Sequence, residues 1–375
     1  RLALRIRITS MALTTVRPKG MGFNTGRRNL VINGAMQVAQ RGTSFSSLSA
    51  SAYTCDRWQL QVAGAGRGTV TQESSGGPAG FKDNFLRVTV ATADSSVASS
   101  DMQVLKQVIE GHVAAFTDAG TSDAQPLTLS FYVRSSVTGT FSATLYTNFN
   151  NPSAVSYPAE YTISSANTWE QKTITYPAFT TSSTLATTGY TTGEFYQVRF
   201  ALMAGSDKTG TPNQWNSAND FASTNQTNLF ATSSATWDIT GVQLELGSNA
   251  SDFEHRSFGE ELALCQRYTY VWVAENNYGN FANGGALNSS QARGTMVLPQ
   301  VMRTQPSLTQ NGTFRAVSHG SGITSGTVSV TMVRGHTHSP FTMVAGTGGS
   351  LIAGRACELG ADNDSDAELI LNAEL

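Results

Sequence analysis

Residues with the types and spacing for chemistry are few and scattered along this 375-residue chain. His336-x-His338 sets two imidazoles on one face of a strand, as some metal sites do. Pro340 ends that segment and no third ligand stands near, so the pair reads as a structural or surface feature. Asp362-x-Asp364-x-Asp366 has the spacing of the first half of an EF-hand calcium loop. The sixth position, which needs glycine for its sharp turn, is Ala367, and the distal glutamate is missing, so a charged turn is expected. There is no G-x-S-x-G elbow, no H-E-x-x-H and no glycine-rich phosphate loop after a strand. Nothing singles out a pair of carboxylates for glycoside hydrolysis among the 26 acidic residues, although such pairs come together only in the fold. The expectation is a protein that is not an enzyme.

Aromatic rings are the chemistry that remains, because a ring face packs against the apolar face of a pyranose. Trp58, Tyr132, Tyr146, Trp169 and Trp215 are the carbohydrate-binding candidates. Tyr132 and Tyr146 fall on the polar phase of their strands and should point away from the core. Trp215, in a polar stretch, should be the most exposed, whereas Trp58 and Trp169 suit core or rim positions better.

The elements that must position these rings are strands. Charged residues make up only 13% of the chain, about half the usual globular share, while 39% are hydrophobic and 35 are glycine. That balance suits a folded, sheet-rich exterior protein. Leu129, Phe131 and Val133 share one face of a strand, as do Phe141, Ala143 and Leu145. Tyr196, Val198, Phe200 and Leu202 alternate with Gln197, Arg199 and Ala201, the period of two of a half-buried strand. In the strand that follows Ala235, Trp237 and Ile239 lie on odd positions, but Val242, Leu244 and Leu246 lie on even ones. The reversal at Thr240-Gly241 predicts a β-bulge that keeps both sets in the core. Residues 203–235 have weak periodicity and should form a long loop over one end of the sandwich. Ser257-Phe258-Gly259-Glu260 is a capping box opening a helix of about ten residues, with Phe258, Leu262 and Cys265 on its apolar stripe. Val328, Val330 and Met332 mark a strand of a second β-region, and Leu369, Leu371, Ala373 and Leu375 share one face of another.

Charge is distributed unevenly although the net is only −2. Arg1, Arg5, Arg7, Arg17, Lys19, Arg27, Arg28 and Arg41 precede the first acid, Asp56, and six acids follow Arg355. A basic arm of this kind reads as a docking or nucleic-acid segment, or as a solvated leader. The net charge itself gives no global pull toward nucleic acid. Cys55, Cys265 and Cys357 share no metal-like spacing, so at least one stays unpaired. No stretch reaches the roughly 18 apolar residues of a membrane span. Residues 1–10 lack a long apolar core and read as an extension ahead of Met11, not as a secretory signal.

Two segments about 200 residues apart carry a family likeness. The first is Asn29-Leu30-Val31-Ile32-Asn33-Gly34-Ala35-Met36-Gln37-Val38-Ala39-Gln40-Arg41-Gly42, followed by Tyr53 and Asp56-Arg57-Trp58. The second is Trp237-Asp238-Ile239-Thr240-Gly241-Val242-Gln243-Leu244-Glu245-Leu246-Gly247, running on through Phe253-Glu254 to Cys265-Gln266-Arg267-Tyr268. Together they resemble the bracketing motifs of a β-jelly-roll module of phage tail-fibre and other virion appendage proteins, a module similar in architecture to carbohydrate-binding modules. The stretch Leu298–Leu308 resembles a motif of C-terminal sandwich domains in phage fibres. The resemblance implies an all-β protein: a basic arm over 1–28, a jelly roll over 29–255, a linker helix over 256–270 and a second, smaller β-sandwich over 271–375. It implies a homotrimeric tail fibre of the virion, assembled in the reducing host cytoplasm, that contacts host-surface glycans. A capsid-attached head fibre or decoration protein is the alternative, and a glycan-degrading tailspike a further one. Arg17, Lys19, Arg27 and Arg28 would dock onto a virion protein such as a tail adaptor, nozzle or capsid. The last strand's Leu369–Leu375 face would meet another subunit at a three-fold axis. No cofactor is expected, although jelly-roll sugar-binding modules often hold a structural calcium.

Overall fold

The computed structural model describes residues 28–375 apart from 82–83, 148–153, 181–190, 319–322, 335–336 and 338–340. Arg17, Lys19, Arg27, His336 and His338 lie outside the described residues. Two six-stranded sheets form a jelly-roll sandwich. The first runs β1 (Ser44–Leu48), β4 (Arg67–Glu73), β5 (Phe85–Thr92), β14 (Thr236–Leu246), β7 (Leu127–Ser135) and β10 (Glu170–Tyr176). The second runs β2 (Ala52–Tyr53), β3 (Gln59–Ala63), β6 (Met102–Glu110), β11 (Glu194–Ala204), β8 (Gly139–Thr147) and β9 (Val155–Ile163). All neighbours in both sheets are antiparallel. A single helical turn, α1 (Gly111–Ala114), follows β6. The inward faces of the two sheets meet in one apolar core that includes Leu105, Phe131, Phe141, Val198, Phe200 and Trp237.

The reversal of phase in β14 is a bulge. Its pairing with β7 shifts register between Thr240 and Gln243, and Gly241 sits at φ +62°. Trp237, Ile239, Val242 and Leu244 are all fully buried as a result. Glycine is required twice over, because a Cβ at 241 would also lie 2.5 Å from the ring of Phe81.

The bracketing segments meet. Residues 29–41 form no strand but lie buried against β14: Leu30 N–H donates to the Leu244 carbonyl at 2.9 Å, and Val242 N–H donates to the Gly34 carbonyl at 2.9 Å. The Asn29 side chain bonds both ways, its amide to the Val242 carbonyl and its oxygen accepting from Leu244 N–H. Asn33, at φ +57°, holds the turn together by accepting from Gln37 and Val38 N–H and donating to the Val38 and Asp56 carbonyls. Side-chain amides thus satisfy the segment's irregular backbone, since buried N–H and C=O groups need partners.

The helix α2 (Phe258–Gln266) has the expected capping box, with Ser257 Oγ accepting from Glu260 N–H and Glu260 Oε2 accepting from Ser257 N–H. Cys265 and, partly, Leu262 pack with Ile32, Val38 and Tyr268, but Phe258 is 56% exposed and leaves the stripe. Beyond the helix, β15 (Thr269–Val273), β23 (Glu368–Asn372) and β18 (Ser307–Asn311) form a three-stranded sheet. A closed six-stranded barrel packs beside it, in the order β16 (Asn280–Ala286), β17 (Gln291–Thr295), β21 (Phe341–Gly349), β20 (Ile323–Arg334), β19 (Phe314–Ser318) and β22 (Ala356–Ala361). Leu369, Leu371 and Ala373 do share a face, yet that face is buried within the chain against Phe314, Leu359 and Ala361. The expected subunit contact through it is therefore corrected: the barrel already covers these residues. Residues 362–366 form the expected charged turn, in which Asp364 accepts from Thr313 and Asp366 N–H. No group of three metal-ligating His, Cys, Asp or Glu side chains is found among the described residues.

Charged side chains tie the jelly roll to the helix and the C-terminal strands. Arg57 is 1% exposed and pairs with Glu374, which also takes Arg41 at 3.2 Å. Glu110, buried in β6, accepts from Arg267 at 2.6 and 3.0 Å and from the Tyr268 hydroxyl at 2.8 Å. The Arg57 guanidinium lies over the Tyr268 ring, 3.5 Å from its centroid.

Candidate functional site

The outer face of the second sheet concentrates polar groups. Antiparallel register places Tyr53, Gln59, Lys106, Arg199, Thr144 and Pro158 side by side across the six strands. Val108, Gln197, Tyr146 and Ser156 stand in the next row to one side, and Gln61, Val104, Ala201, Ser142 and Glu160 in the next row to the other. Alternation alone would leave these residues in solvent. Instead Gln197, Arg199, Ala201, Ser142 and Thr144 are all buried.

The cause is the segment after β11. It carries β12 (Thr209–Gly210) and β13 (Ala222–Ser223) and lies across β8, β9 and β11 as a roof, so the expected loop over one end of the sandwich lies over a face of it. Asn216 exchanges backbone bonds with Ser156 at 2.8 and 3.0 Å, Thr144 Oγ1 donates to the Phe221 carbonyl at 2.9 Å, and Ser223 N–H donates to Ser142 Oγ at 2.9 Å. Phe221 and Ala222 bury themselves on Met102, Val104 and Ala201. Beyond the roof's edge Gln59, Gln61, Lys106 and Glu194 remain half-buried, an open polar strip beside a closed one.

Arg199 stands at that edge. Its guanidinium carbon is 3.6 Å from the centroid of Tyr146 and 4.0 Å from that of Phe221, so one ring from the sheet and one from the roof bracket it. Nε donates to Gln197 Oε1 at 2.7 Å, and one terminal nitrogen donates to Asn219 Oδ1 and the Asp220 carbonyl. Burial holds the guanidinium down to about 9. Lys106, its cross-strand neighbour, is lowered to about 8 by burial and by the Arg199 charge, against the opposing pull of Glu194. Burial also raises the carboxyl of Glu194, whose Oε1 accepts from Gln197 at 2.8 Å. Titratable groups shifted by burial and by each other in one half-open strip mark a candidate binding site.

The five sequence candidates are dispersed. Trp58 is fully buried in the sandwich core with its Nε1 donating to the Asn33 carbonyl, which leaves no ring face for a ligand. Tyr146 belongs to the strip but lies 3% exposed beneath Arg199. Tyr132 is on the outer face of the other sheet beside Phe81, with ring centroids 5.2 Å apart. Trp169 is on that sheet's side as well, bonded to the Gly76 carbonyl and covered by Arg134. Trp215 packs on Tyr157 and Phe179 and donates to the Pro177 carbonyl. Arg28, the one docking residue among those described, donates to the Asp252 carbonyl of its own chain. The strip residues Lys106, Glu194, Gln197 and Arg199 were not candidates. Gln197 and Arg199 signal themselves only as polar positions of an alternating strand, and Lys106 adjoins them only once the register is known.

No protein-family model matches the chain, and no curated protein matches it either. Among solved structures, the enzymatically active domain of bacteriophage CBA120 tailspike protein 4 is similar at 16% identity and a TM-score of 0.32, over 58% of this chain and 21% of that one. This chain thus spans about a fifth of the tailspike's length. A putative sugar-binding protein from Bacteroides thetaiotaomicron is similar at 13% identity and a TM-score of 0.32, over 58% of this chain and 100% of that one. The CBM22-2 xylan-binding domain of Paenibacillus barcinonensis Xyn10C is similar at 12% identity and a TM-score of 0.30, over 51% of this chain and 91% of that one. At such scores the functional reading rests on this chain's own residues.

Proposed function

We propose that this chain is a non-catalytic, glycan-contacting appendage protein of a bacteriophage virion, a tail fibre in kind. The observation that carries the reading is the meeting of the two bracketing segments, Asn29–Gly42 and Trp237–Gly247, whose paired amides close the jelly roll. Those are the residues on which the resemblance to virion appendage modules stands. The half-roofed strip of Gln59, Gln61, Lys106 and Glu194 supports the glycan part, because half-exposed amides and charged groups side by side are the donors and acceptors that sugar hydroxyls need. In this reading the basic arm with Arg17, Lys19, Arg27 and Arg28 seats the protein on the particle, and three copies assemble. The test is the intact protein on surface polysaccharides purified from candidate host bacteria. Binding to at least one of them without release of oligosaccharides, together with a trimer in sedimentation, is expected. A soluble monomer that binds none, or an enzyme that shortens them, would overturn the reading.

A further inference from the structure

Lys106 and Arg199 are directly opposite one another on β6 and β11. Opposed cross-strand residues have Cβ atoms about 5 Å apart, and like charges at that separation are destabilising. Arg199 is held by Gln197, Asn219 and the Asp220 carbonyl, all of them neutral groups. The Lys106 ammonium has no hydrogen bond or ion pair among the described residues. Two carboxylates stand nearby without closing the pair. Glu194 Oε1 accepts from Gln197 at 2.8 Å and Asp220 accepts from Ser156 Oγ at 3.1 Å, so neither bonds the Lys106 ammonium. On the far side of Lys106, β3 presents Gln59, a donor and acceptor without charge. The Lys106 ammonium is thus left without a bonded counter-charge at the half-buried edge of the strip, where a ligand's anionic group could meet it with less screening than in bulk water.

Resting on the glycan reading, we infer that the Lys106 end of the strip is a subsite for the acidic group of a glycan, a uronate carboxylate or a sulfate. The ammonium makes the direct contact. Arg199, sealed between Tyr146 and Phe221, adds charge from beneath without touching the ligand. Gln59, half-buried on β3 beside Lys106, flanks the subsite and is placed to bond a hydroxyl of the same or the adjoining sugar.

Calorimetry of the intact protein with oligosaccharides in matched pairs tests this. One pair is oligogalacturonate and its methyl ester, and the other is a heparin hexasaccharide and its desulfated, N-acetylated counterpart. The two pairs separate carboxylate from sulfate. In at least one pair the member with the group under test should bind tenfold or more tighter than the partner that lacks it (the desulfated heparin keeps its uronate carboxylates), and the preference should shrink as salt rises. Lys106→Gln should abolish the preference with an unchanged circular dichroism spectrum, and Lys106→Arg should retain most of it. If the members bind alike within both pairs, or if Lys106→Gln keeps the preference, the subsite is refuted and the glycan reading stands. If no member binds, the subsite is refuted too, and purified host polysaccharide then decides the glycan reading separately.

Discussion

Replacing Gly241 with alanine separates two costs that the bulge in β14 combines. The first is conformational. At φ +62° an alanine sits in the left-handed region, which costs an L-residue with a Cβ about 1–2 kcal/mol. The second is steric, because the new methyl would lie 2.5, 2.8 and 3.2 Å from three carbons of the Phe81 ring. That ring is 4% exposed and wedged against Tyr132, Phe253 and His255 at centroid distances of 5.0 to 5.5 Å, so it can yield only by leaving its rotamer or its neighbours. An off-rotamer shift adds about 0.5–1.5 kcal/mol, and Gly241→Ala should lose about 1.5–3.5 kcal/mol in urea unfolding followed by tryptophan fluorescence. Phe81→Ala removes the obstacle, so in that background Gly241→Ala should cost only its conformational part, about 1–2 kcal/mol. An undiminished cost in the Phe81→Ala background would refute the steric share. No cost in either background would mean that β14 runs without a bulge.

Other expectations concern the charged groups beyond β14. Glu374→Ala leaves Arg57 buried without its carboxylate and should destabilise by about 3–5 kcal/mol; adding Arg57→Met should recover much of that loss in the same denaturation assay. Burial pushes the Glu110 carboxyl up, but the bonds from Arg267 and Tyr268 outweigh it and hold the group below its ordinary value of 4.5. Its stabilisation is therefore complete above that value and lost as pH falls through and below it. The gap in urea midpoint between the wild type and Glu110→Gln should be constant near neutrality and close toward pH 3, and a gap that widens in acid would refute the assignment.

What could be read from the sequence was local. The bulge announced itself because five apolar residues of one strand change phase at a glycine, and the capping box because Ser257 and Glu260 satisfy each other within one turn. The jelly-roll strands were legible where the outer face stays partly open, as in the second half of β7, with Phe131 and Val133 inside and Tyr132 and Arg134 half out. The second sheet was less legible. Both faces of β8 and β11 are buried, one of them by a roof that has no periodicity to betray it. The candidate strip was hidden for a related reason: Lys106 and Arg199 are 93 positions apart, and only the pairing of β6 with β11 makes them neighbours. Residue type alone could not tell that the ring of Trp58 is taken up by the core itself.

The Arg57–Glu374 pair has a consequence for biosynthesis. A chain emerging from the ribosome presents every strand of the jelly roll some 130 residues before position 374 is made. Through that interval the sandwich can collapse, but the site that receives the Arg57 guanidinium has no carboxylate to match it. The nascent module should therefore linger as a loosened intermediate, with residues 53–58 unsettled, and tighten only when Glu374 arrives. A product broken off anywhere in the barrel would carry an unmatched cation inside its jelly roll, a defect that exposes the fragment to proteases.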